Sequence, residues 1–403
     1  MVRWKVNLTV LWFGQFMVMS GMTMIIPFLP LYLQKDLGMT DLHQVATWSG
    51  IIFAGNFVTS FIFQPIWGGL ADRYGRKVML IRSGLGMAIV ITLMGFAHSA
   101  WMLLLLRMAN GVISGYAPAA VSLMSANTPR ERIGVAMGFL QSGAVAGSIL
   151  GPFIGGLLAD WLGSFRMIFY ITGTLLSLAT LLTWLFVKES FNAKEAAAKP
   201  KISIREGWSK LQHVQQLPAL YTVTFIIQFA MLSSQPLMAL FVGELHGQGE
   251  NLAFYAGLVT SITGFSNMFS APLLGKLSDR IGSEKILFFC LIGAGIMFIP
   301  QALVQNVWQL FTARFFLGIF IGGLLPTVNA LIRKHTPTGM ESRSYSFNTS
   351  ALALGNMIGP VVGGALSGLI NIQGIFIMTS VLLLINAGWV WKSLFQGSKA
   401  RAQ

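Results

Sequence analysis

The stretch GGLADRYGRK at residues 68–77 places four charged side chains within ten positions, in a chain of which only 10% of the residues are charged. A related stretch, GKLSDRIGSEK, follows at residues 275–285. Each stretch joins two apolar segments and carries a glycine near both ends. A charged turn that returns about half a chain length later indicates a duplicated unit.

The segments around both turns are strongly apolar. Hydrophobic residues make up 54% of the 403 positions, the mean hydropathy is +0.69, and the charged fraction is far below the roughly 25% of soluble domains. Stretches of about 20 apolar residues, which can cross a bilayer as helices, recur along the chain. The composition predicts an all-α polytopic membrane protein.

Twelve transmembrane helices are predicted, and all but one of the joins between them are short polar turns. The exception is a charged linker at 188–218, which separates an N-terminal six-helix bundle (1–187) from a C-terminal six-helix bundle and short tail (219–403). The predicted spans are 8–33, 48–70, 78–97, 101–126, 134–160, 166–187, 219–243, 253–277, 286–305, 308–332, 344–370 and 375–395.

The basic residues predict the orientation of these spans. If both termini are cytoplasmic, the cytoplasmic segments hold 22 of the 27 Lys and Arg residues, as the positive-inside rule requires for a multi-pass protein of the cell membrane. The net charge of +14 then reflects topology. It does not indicate a nucleic-acid partner, because no basic block falls on one soluble domain.

The two halves repeat at nearly constant spacing. Pro65 and Arg107 recur 207 positions later as Pro272 and Arg314, and the offset becomes 208 after span four. Because each half holds six spans, both have the same orientation. We therefore expect two pseudo-symmetric bundles with a binding site near the midplane between them.

The charged turns are predicted to act in gating. Gly68 and Gly75 permit a tight turn, and Asp72 can face Arg76 or a helix N-terminus. Such a latch would form in one conformation and break in another. Anchoring to anionic headgroups is the alternative for the basic residues. The residues concerned are Gly68, Asp72, Arg73, Gly75, Arg76 and Lys77, with Asp279 in the second copy.

Several of these motifs resemble one family. GGLADRYGRKVML resembles the signature loop of the major facilitator superfamily, and LLLLRMANG around Arg107 resembles a second superfamily motif. GFLQSGAVAGSILGPFIGG is similar to the span-five motif of its twelve-span drug–proton antiporters, and PFLPLYL is similar to the end of their span one. The resemblance covers essentially the whole chain.

The resemblance implies proton-driven efflux of amphiphilic drug-like compounds by alternating access. It also implies a proton-coupling role for Arg107, which either faces the bundle interior with a partner or snorkels to the outer interface. Snorkelling has more weight for Arg314 than for Arg107. We expect a monomer whose partners are drug-like molecules, protons and lipid, without ATP, cofactor or metal.

Spans one, four, seven and ten line the central cavity in this family. Methionines there would suit varied apolar substrates, while plain helix packing is the alternative for each of them. The amides are harder to explain by packing, because amides facing lipid are costly. The candidate cavity residues are Gln15, Met19, Met22, Asn110, Ser114, Gln228, Met231 and Gln235.

The small residues of span five have two interpretations. Gly147, Gly151 and Gly155 permit close helix packing, whether or not the helices move. Pro152 adds a kink that packing does not require, which favours a hinge or a seal against proton leakage.

No acidic residue falls in the middle of a predicted span, where related exporters often carry a carboxylate. The proton-coupling candidates are therefore Asp36, Glu244 and Asp160 at the outer rim, or Asp72 at the inner turn. Asp36 and Glu244 are the preferred pair, together with Arg107.

Two other function classes are weighed against export. A proton-coupled symporter importing a polar metabolite such as a sugar would need several clustered polar groups, and the sequence offers few. A membrane enzyme or receptor would need a catalytic or ligand motif. The five histidines are scattered, and neither a nucleophile elbow nor a phosphate-binding Walker loop is present.

Overall fold

The computed structural model describes residues 3–129, 132–189, 211, 214, 216–247, 251–337 and 341–396. Within helices it leaves some side chains undescribed, including those of Asp72 and Arg73. Most of the predicted linker at 188–218 lies outside the described residues. Most of the described residues are helical and none of them forms a strand, which confirms the predicted all-α class.

The described residues contain twelve spans, two of which are joined without a loop and several of which are interrupted. Ten helical segments are long and apolar enough to cross a membrane. One of these, Glu341–Val390, comprises two spans, because Asn371 inside it has a left-handed φ of 57°. The twelfth is span four, which is interrupted.

The first six spans are Arg3–Ile25 continued by Ile26–Phe28 and Leu29–Lys35, then Leu42–Tyr74, Arg76–Met94, Ala100–Ile113 with Tyr116–Asn127, Ile133–Leu162 and Phe165–Phe186. The last six are Gln216–Ser233 continued by Gln235–Leu237 and Met238–His246, then Leu252–Ile281, Ser283–Leu303, Val307–His335, and 341–370 and 372–390 on either side of Asn371. A π-helical turn, Trp391–Gln396, follows.

The prediction of one continuous helix at 101–126 is wrong. The first helix of span four ends at Ile113, Ser114 has an extended ψ of 161°, and Gly115 has a φ of 141° that side-chain-bearing residues rarely adopt. Ser114 therefore lies outside the helix that holds Arg107 and Asn110.

Spans one and seven each contain a 3₁₀ turn that the hydrophobic pattern did not predict. The turns are Ile26–Phe28 and Gln235–Leu237, and each holds a proline, Pro27 or Pro236. A proline has no backbone N–H to donate, so the helical hydrogen-bond ladder is interrupted there.

The two charged turns have the same backbone geometry. Gly75 has a φ of 97° and begins span three, and Gly282 has a φ of 100° and begins span nine. The turn predicted between Gly68 and Gly75 is shorter than expected, because Gly68 lies within the helix Leu42–Tyr74.

The chain divides into two compact units. One comprises Met1–Asp41, Ile51–Pro200 and Gln248–Ser261, and the other comprises Leu42–Gly50, Lys201–Gly247 and Ile262–Gln403. Within the first unit, span one contacts spans five and six, and span three contacts spans four and six. Within the second, span seven contacts Glu341–Val390, and span nine contacts span ten.

Buried polar side chains join span two to span four inside the first unit. Asn110 Nδ2 donates to Asn56 Oδ1 at 2.8 Å, and Thr59 Oγ1 donates to the Met108 carbonyl at 2.8 Å. The helices approach closely at Gly111, where a Cβ would overlap Thr59 Oγ1 and the Asn56 carbonyl.

We expect Gly111→Ala to destabilise the protein by about 1–3 kcal/mol, because the added methyl group forces these helices apart and strains their hydrogen bonds. Thermal unfolding in detergent would measure the loss. Gly388→Ala is the matched control, since a Cβ there meets nothing within 4 Å. Equal midpoints for the two variants would contradict the contact.

Candidate functional site

The first charged turn is held by a carboxylate that the sequence analysis did not single out. Glu189, just after span six, accepts hydrogen bonds from the backbone N–H groups of Arg76 at 3.0 Å and Lys77 at 2.7 Å. The Arg76 guanidinium lies 4.0 Å from the same carboxylate, whose side chain is only 7% exposed. Lys77 Nζ donates to the Trp184 carbonyl at 2.8 Å.

Glu189 therefore satisfies two of the N–H groups that open span three, where the helix dipole favours negative charge. Lys77 thus contacts the last turn of span six, and Arg76 contacts Glu189 just after that span. The predicted roles of Asp72 and Arg73 fall on side chains that the structure does not describe.

The second turn has the opposite arrangement of charges. Glu284 replaces Lys77 in the first turn of span nine and pairs with Lys334 of span ten at 2.7 Å. Here the helix start supplies the acid and a neighbouring span supplies the base. Asp279 is exposed.

Two arginines related by the repeat are buried within their own units. Arg107 is 4% exposed, and its Nε has no hydrogen-bond partner among the described residues. Arg314 is 3% exposed, and its Nη2 contacts Met238 Sδ at 3.4 Å. Both arginines thus face the interior of their own units, and the snorkelling alternative, which had more weight for Arg314, does not describe either of them.

The candidate cavity residues of spans one and seven differ in how well their polar atoms are satisfied. Gln15 is 3% exposed, and its Oε1 accepts no hydrogen bond among the described residues. Gln228 Nε2 donates to Asn356 Oδ1 at 2.9 Å. Met19, Met22, Met231 and Gln235 are half-buried.

The candidates in span four lie against span two. Asn110 donates to Asn56, and Ser114 Oγ shares a hydrogen bond of 2.9 Å with Ser60 Oγ. The Asn110 amide nitrogen and the Ser114 hydroxyl therefore make hydrogen bonds between spans two and four. The Asn110 Oδ1 has no hydrogen-bond partner among the described residues.

The glycines of span five make close contacts along span one. A Cβ on Gly147 would lie 2.5 Å from the Phe16 carbonyl oxygen, and one on Gly151 would overlap Thr23 Oγ1. A Cβ on Gly155 would lie 2.5 Å from Met24 Cγ. Pro152 lies inside the continuous helix Ile133–Leu162. Close packing accounts for the three glycines, and it does not account for Pro152.

At the predicted outer end of the first half, Asp36 forms an ion pair with the first turn of span six. Arg166 Nε lies 3.4 Å from Asp36 Oδ1, and the two side chains are 32% and 17% exposed. Burial raises the pKa of the Asp36 carboxyl, and the positive charges of Arg166 and Lys35 oppose that rise.

At the predicted outer end of the second half, a carboxylate pairs with an amide. Glu244 accepts a hydrogen bond from Gln373 Nε2 at 3.5 Å. The repeat offsets of 207 and 208 relate Asp36 to Gly243 and Arg166 to Gly374, so Glu244 and Gln373 each lie one position away from the repeat equivalents of that pair. The carboxylate after span one thus has a cationic partner, and the carboxylate at the end of span seven has an amide. Among the described residues, no cluster of three or more His, Cys, Asp or Glu could hold a metal ion.

Comparisons with known proteins agree with this architecture. The Major Facilitator Superfamily model matches residues 11–300 and 250–402. The Multidrug resistance protein MdtG of Salmonella arizonae is 42% identical over 393 residues, covering 98% of this chain and 96% of the relative. MdtG of Salmonella typhimurium gives the same identity and coverage.

Solved transporter structures share the fold at low sequence identity. A bacterial homologue of the human lysosomal transporter Spinster has a TM-score of 0.80 at 17% identity, with 97% of both chains covered. The nucleoside transporter NupG has a TM-score of 0.81 at 13% identity, with 97% of this chain and 98% of NupG covered.

The family match spans nearly the whole sequence, and the fold likeness covers the same length. The predicted resemblance to the superfamily is therefore confirmed, and the relatives are transporters and not enzymes. The chain belongs to the Major Facilitator Superfamily of membrane transporters.

Proposed function

We propose that this transporter exports amphiphilic drug-like compounds across the cell membrane in exchange for protons. The observation that carries the proposal is the 42% identity, over 98% of the chain, to a relative named as a multidrug resistance protein. The proposed cycle is alternating access by two like-oriented halves, 1–187 and 219–403, in a monomer with cytoplasmic termini and no use of ATP.

Substrate contact is assigned to the candidate faces of spans one and seven. Met19, Met22 and Met231 offer unbranched thioether side chains that adapt to different apolar shapes. Gln15 has a buried acceptor oxygen without a partner among the described residues, which suits a donor group on a bound compound. Gln228 and Gln235 provide further amides, while Asn110 and Ser114 brace span four against span two.

Proton coupling is assigned to Asp36, Glu244 and Arg107. Both carboxylates lie near the predicted outer ends of spans one and seven, where protons enter in the proposed orientation. Arg107 is a buried cation whose Nε is unsatisfied among the described residues, so it would lower the pKa of any carboxyl group brought near it and promote proton release.

Gating on the predicted cytoplasmic side is assigned to the charged turn. Glu189 fixes Arg76 and Lys77 at the start of span three in the described state. Asp72 and Arg73 precede that turn, and we propose that they complete the latch, with Gly75 providing the sharp bend. Asp279 would have the corresponding position in the second copy, and Pro152 would serve as a hinge or a seal in span five.

The first test of this function is its driving force. In cells that overproduce the protein, we expect efflux of a panel of amphiphilic dyes to stop when a protonophore collapses the proton gradient. We expect efflux to continue when ATP is depleted but the gradient is maintained.

Cells with empty vector provide the control for other exporters. If the dye retained by the cells is the same with and without the protonophore, proton coupling is overturned. Gradient-dependent uptake of a sugar in the same cells, without dye export, would favour the symporter alternative.

The second test separates proton coupling by Arg107 from packing. We expect Arg107→Ala to lower gradient-driven efflux at least about tenfold, equivalent to about 1.4 kcal/mol, and to leave dye binding in detergent nearly unchanged. Arg314→Ala is the matched comparison, because Arg314 is equally buried and related by the repeat. Equal loss of efflux in both variants, together with equal loss of folded protein, would show that Arg107 is structural.

The third test uses Arg166→Gln, which gives Asp36 the kind of partner that Glu244 has. Burial already raises the pKa of Asp36, and Arg166 limits that rise. Removing the guanidinium should raise this pKa further, so Asp36 binds its proton at a higher pH. We expect the pH profile of efflux to shift toward alkaline pH, and Arg166→Lys to shift it less. An unchanged profile for Arg166→Gln would remove Asp36 from the coupling pathway.

A further inference from the structure

The end of span five contacts the beginning of span eight within one compact unit. A Cβ on Gly156 would overlap the Ala253 carbonyl, and a Cβ on Gly257 would overlap the Pro152 carbonyl. Each helix thus presents a glycine to the backbone of the other. The two backbones therefore approach closely, because glycine has no side chain to hold them apart.

Asp160 adds an electrostatic contact to this crossing. Its Oδ2 accepts a hydrogen bond from the backbone N–H of Phe254 at 2.7 Å. Phe254 lies in the first turn of the helix Leu252–Ile281, whose N–H groups lack helical partners and whose dipole favours a carboxylate. The Phe153 and Phe254 rings also meet edge to face, with centroids 5.7 Å apart.

The repeat-related crossing has the same backbone contacts but lacks a carboxylate at this position. In the second unit, Gly50 meets the Pro360 carbonyl and Gly364 meets the Ala46 carbonyl. Position 368, which is 208 after Asp160, is a glycine that lies against the His43 ring. Close packing therefore does not itself require an acidic residue, and Asp160 is an addition to one crossing only.

We propose that Asp160 is a gating residue that holds the ends of spans five and eight together. This inference rests on the proposed alternating-access function, whose orientation assigns these ends to the outer side of the membrane. A carboxylate on a helix N-terminus stabilises the closed crossing by a hydrogen bond and by its charge. Separating the helices exposes the Gly156 and Gly257 contacts and breaks that bond, so Asp160 shifts the equilibrium toward the closed crossing.

The experiment measures the separation directly, in purified protein without substrate or proton gradient. Spin labels at positions 162 and 251 report the crossing, because Leu162 ends span five, Asn251 precedes span eight and both are exposed. Cys290, the single native cysteine, is replaced by Ala in all samples. Pulsed electron paramagnetic resonance then gives the populations of short and long distances.

We expect Asp160→Ala to raise the ratio of long to short distances on the order of fivefold, the effect of a lost helix cap. Asp160→Asn keeps an acceptor oxygen without the charge and should give an intermediate ratio. Gly257→Ala should open the crossing by steric overlap, which shows that the labels detect opening. Ser164→Ala is the matched control at the same end of span five, because Ser164 makes no capping hydrogen bond, and its distances should equal those of the wild type.

An Asp160→Ala distribution equal to wild type, with Gly257→Ala shifted, would overturn the proposal. If Asp160→Ala does not fold, Asp160→Asn decides by the same criterion. A shifted distance distribution in a protein that fails to export dyes would support the gating role of Asp160 and would reject the export function. The two proposals can therefore fail separately.

Discussion

Backbone-to-backbone contact at glycine determines how the helices of each unit are arranged. Gly147, Gly151 and Gly155 lie along span one, and Gly355, Gly359 and Gly363, each 208 positions later, lie along span seven. Apolar surface gives helices little reason to associate in lipid, so close van der Waals contact and buried hydrogen bonds must hold them together. The repeated glycine rows supply that contact in both units. Because the same glycines hold the helices together in both units, the polar groups can differ between the halves without a change in this packing.

Those polar groups do differ in a consistent way. Asp36 pairs with Arg166, whereas Glu244, at the corresponding end of span seven, pairs with the neutral Gln373. The start of span three offers basic residues to Glu189, whereas the start of span nine offers Glu284 to Lys334. The two units thus share the same glycine contacts between helices, whereas their charged side chains are arranged differently. Under the proposed exchange of substrate for protons, these differences allow the two halves to respond differently to protonation.

Much of the fold could be predicted from the sequence, because apolar length, basic residues and the repeat act over long segments. The turns at Gly75 and Gly282 were also predictable, because residues other than glycine rarely adopt the positive φ that these turns require. The break at Ser114 and Gly115 was missed, because neither residue interrupts the hydrophobic pattern. The contact made by Glu189 and the burial of Arg314 could not be predicted for another reason. Their environments depend on residues distant in sequence, and only the packed helices bring Glu189 to Arg76 or enclose Arg314 beside Met238.

The absence of a carboxylate from the middle of every predicted span is consistent with a mechanism that works at helix ends. A charge deep in the bilayer must be paired or enclosed, whereas a carboxylate at a helix end can draw on unsatisfied N–H groups and remain near water. Glu189 and Asp160 both accept from the first turn of a helix in another part of the sequence. Each such bond is strong while the helix ends meet and is lost when they separate. Electrostatic control of the transport cycle can therefore lie at the ends of the spans, while their middles remain free to accommodate apolar substrates.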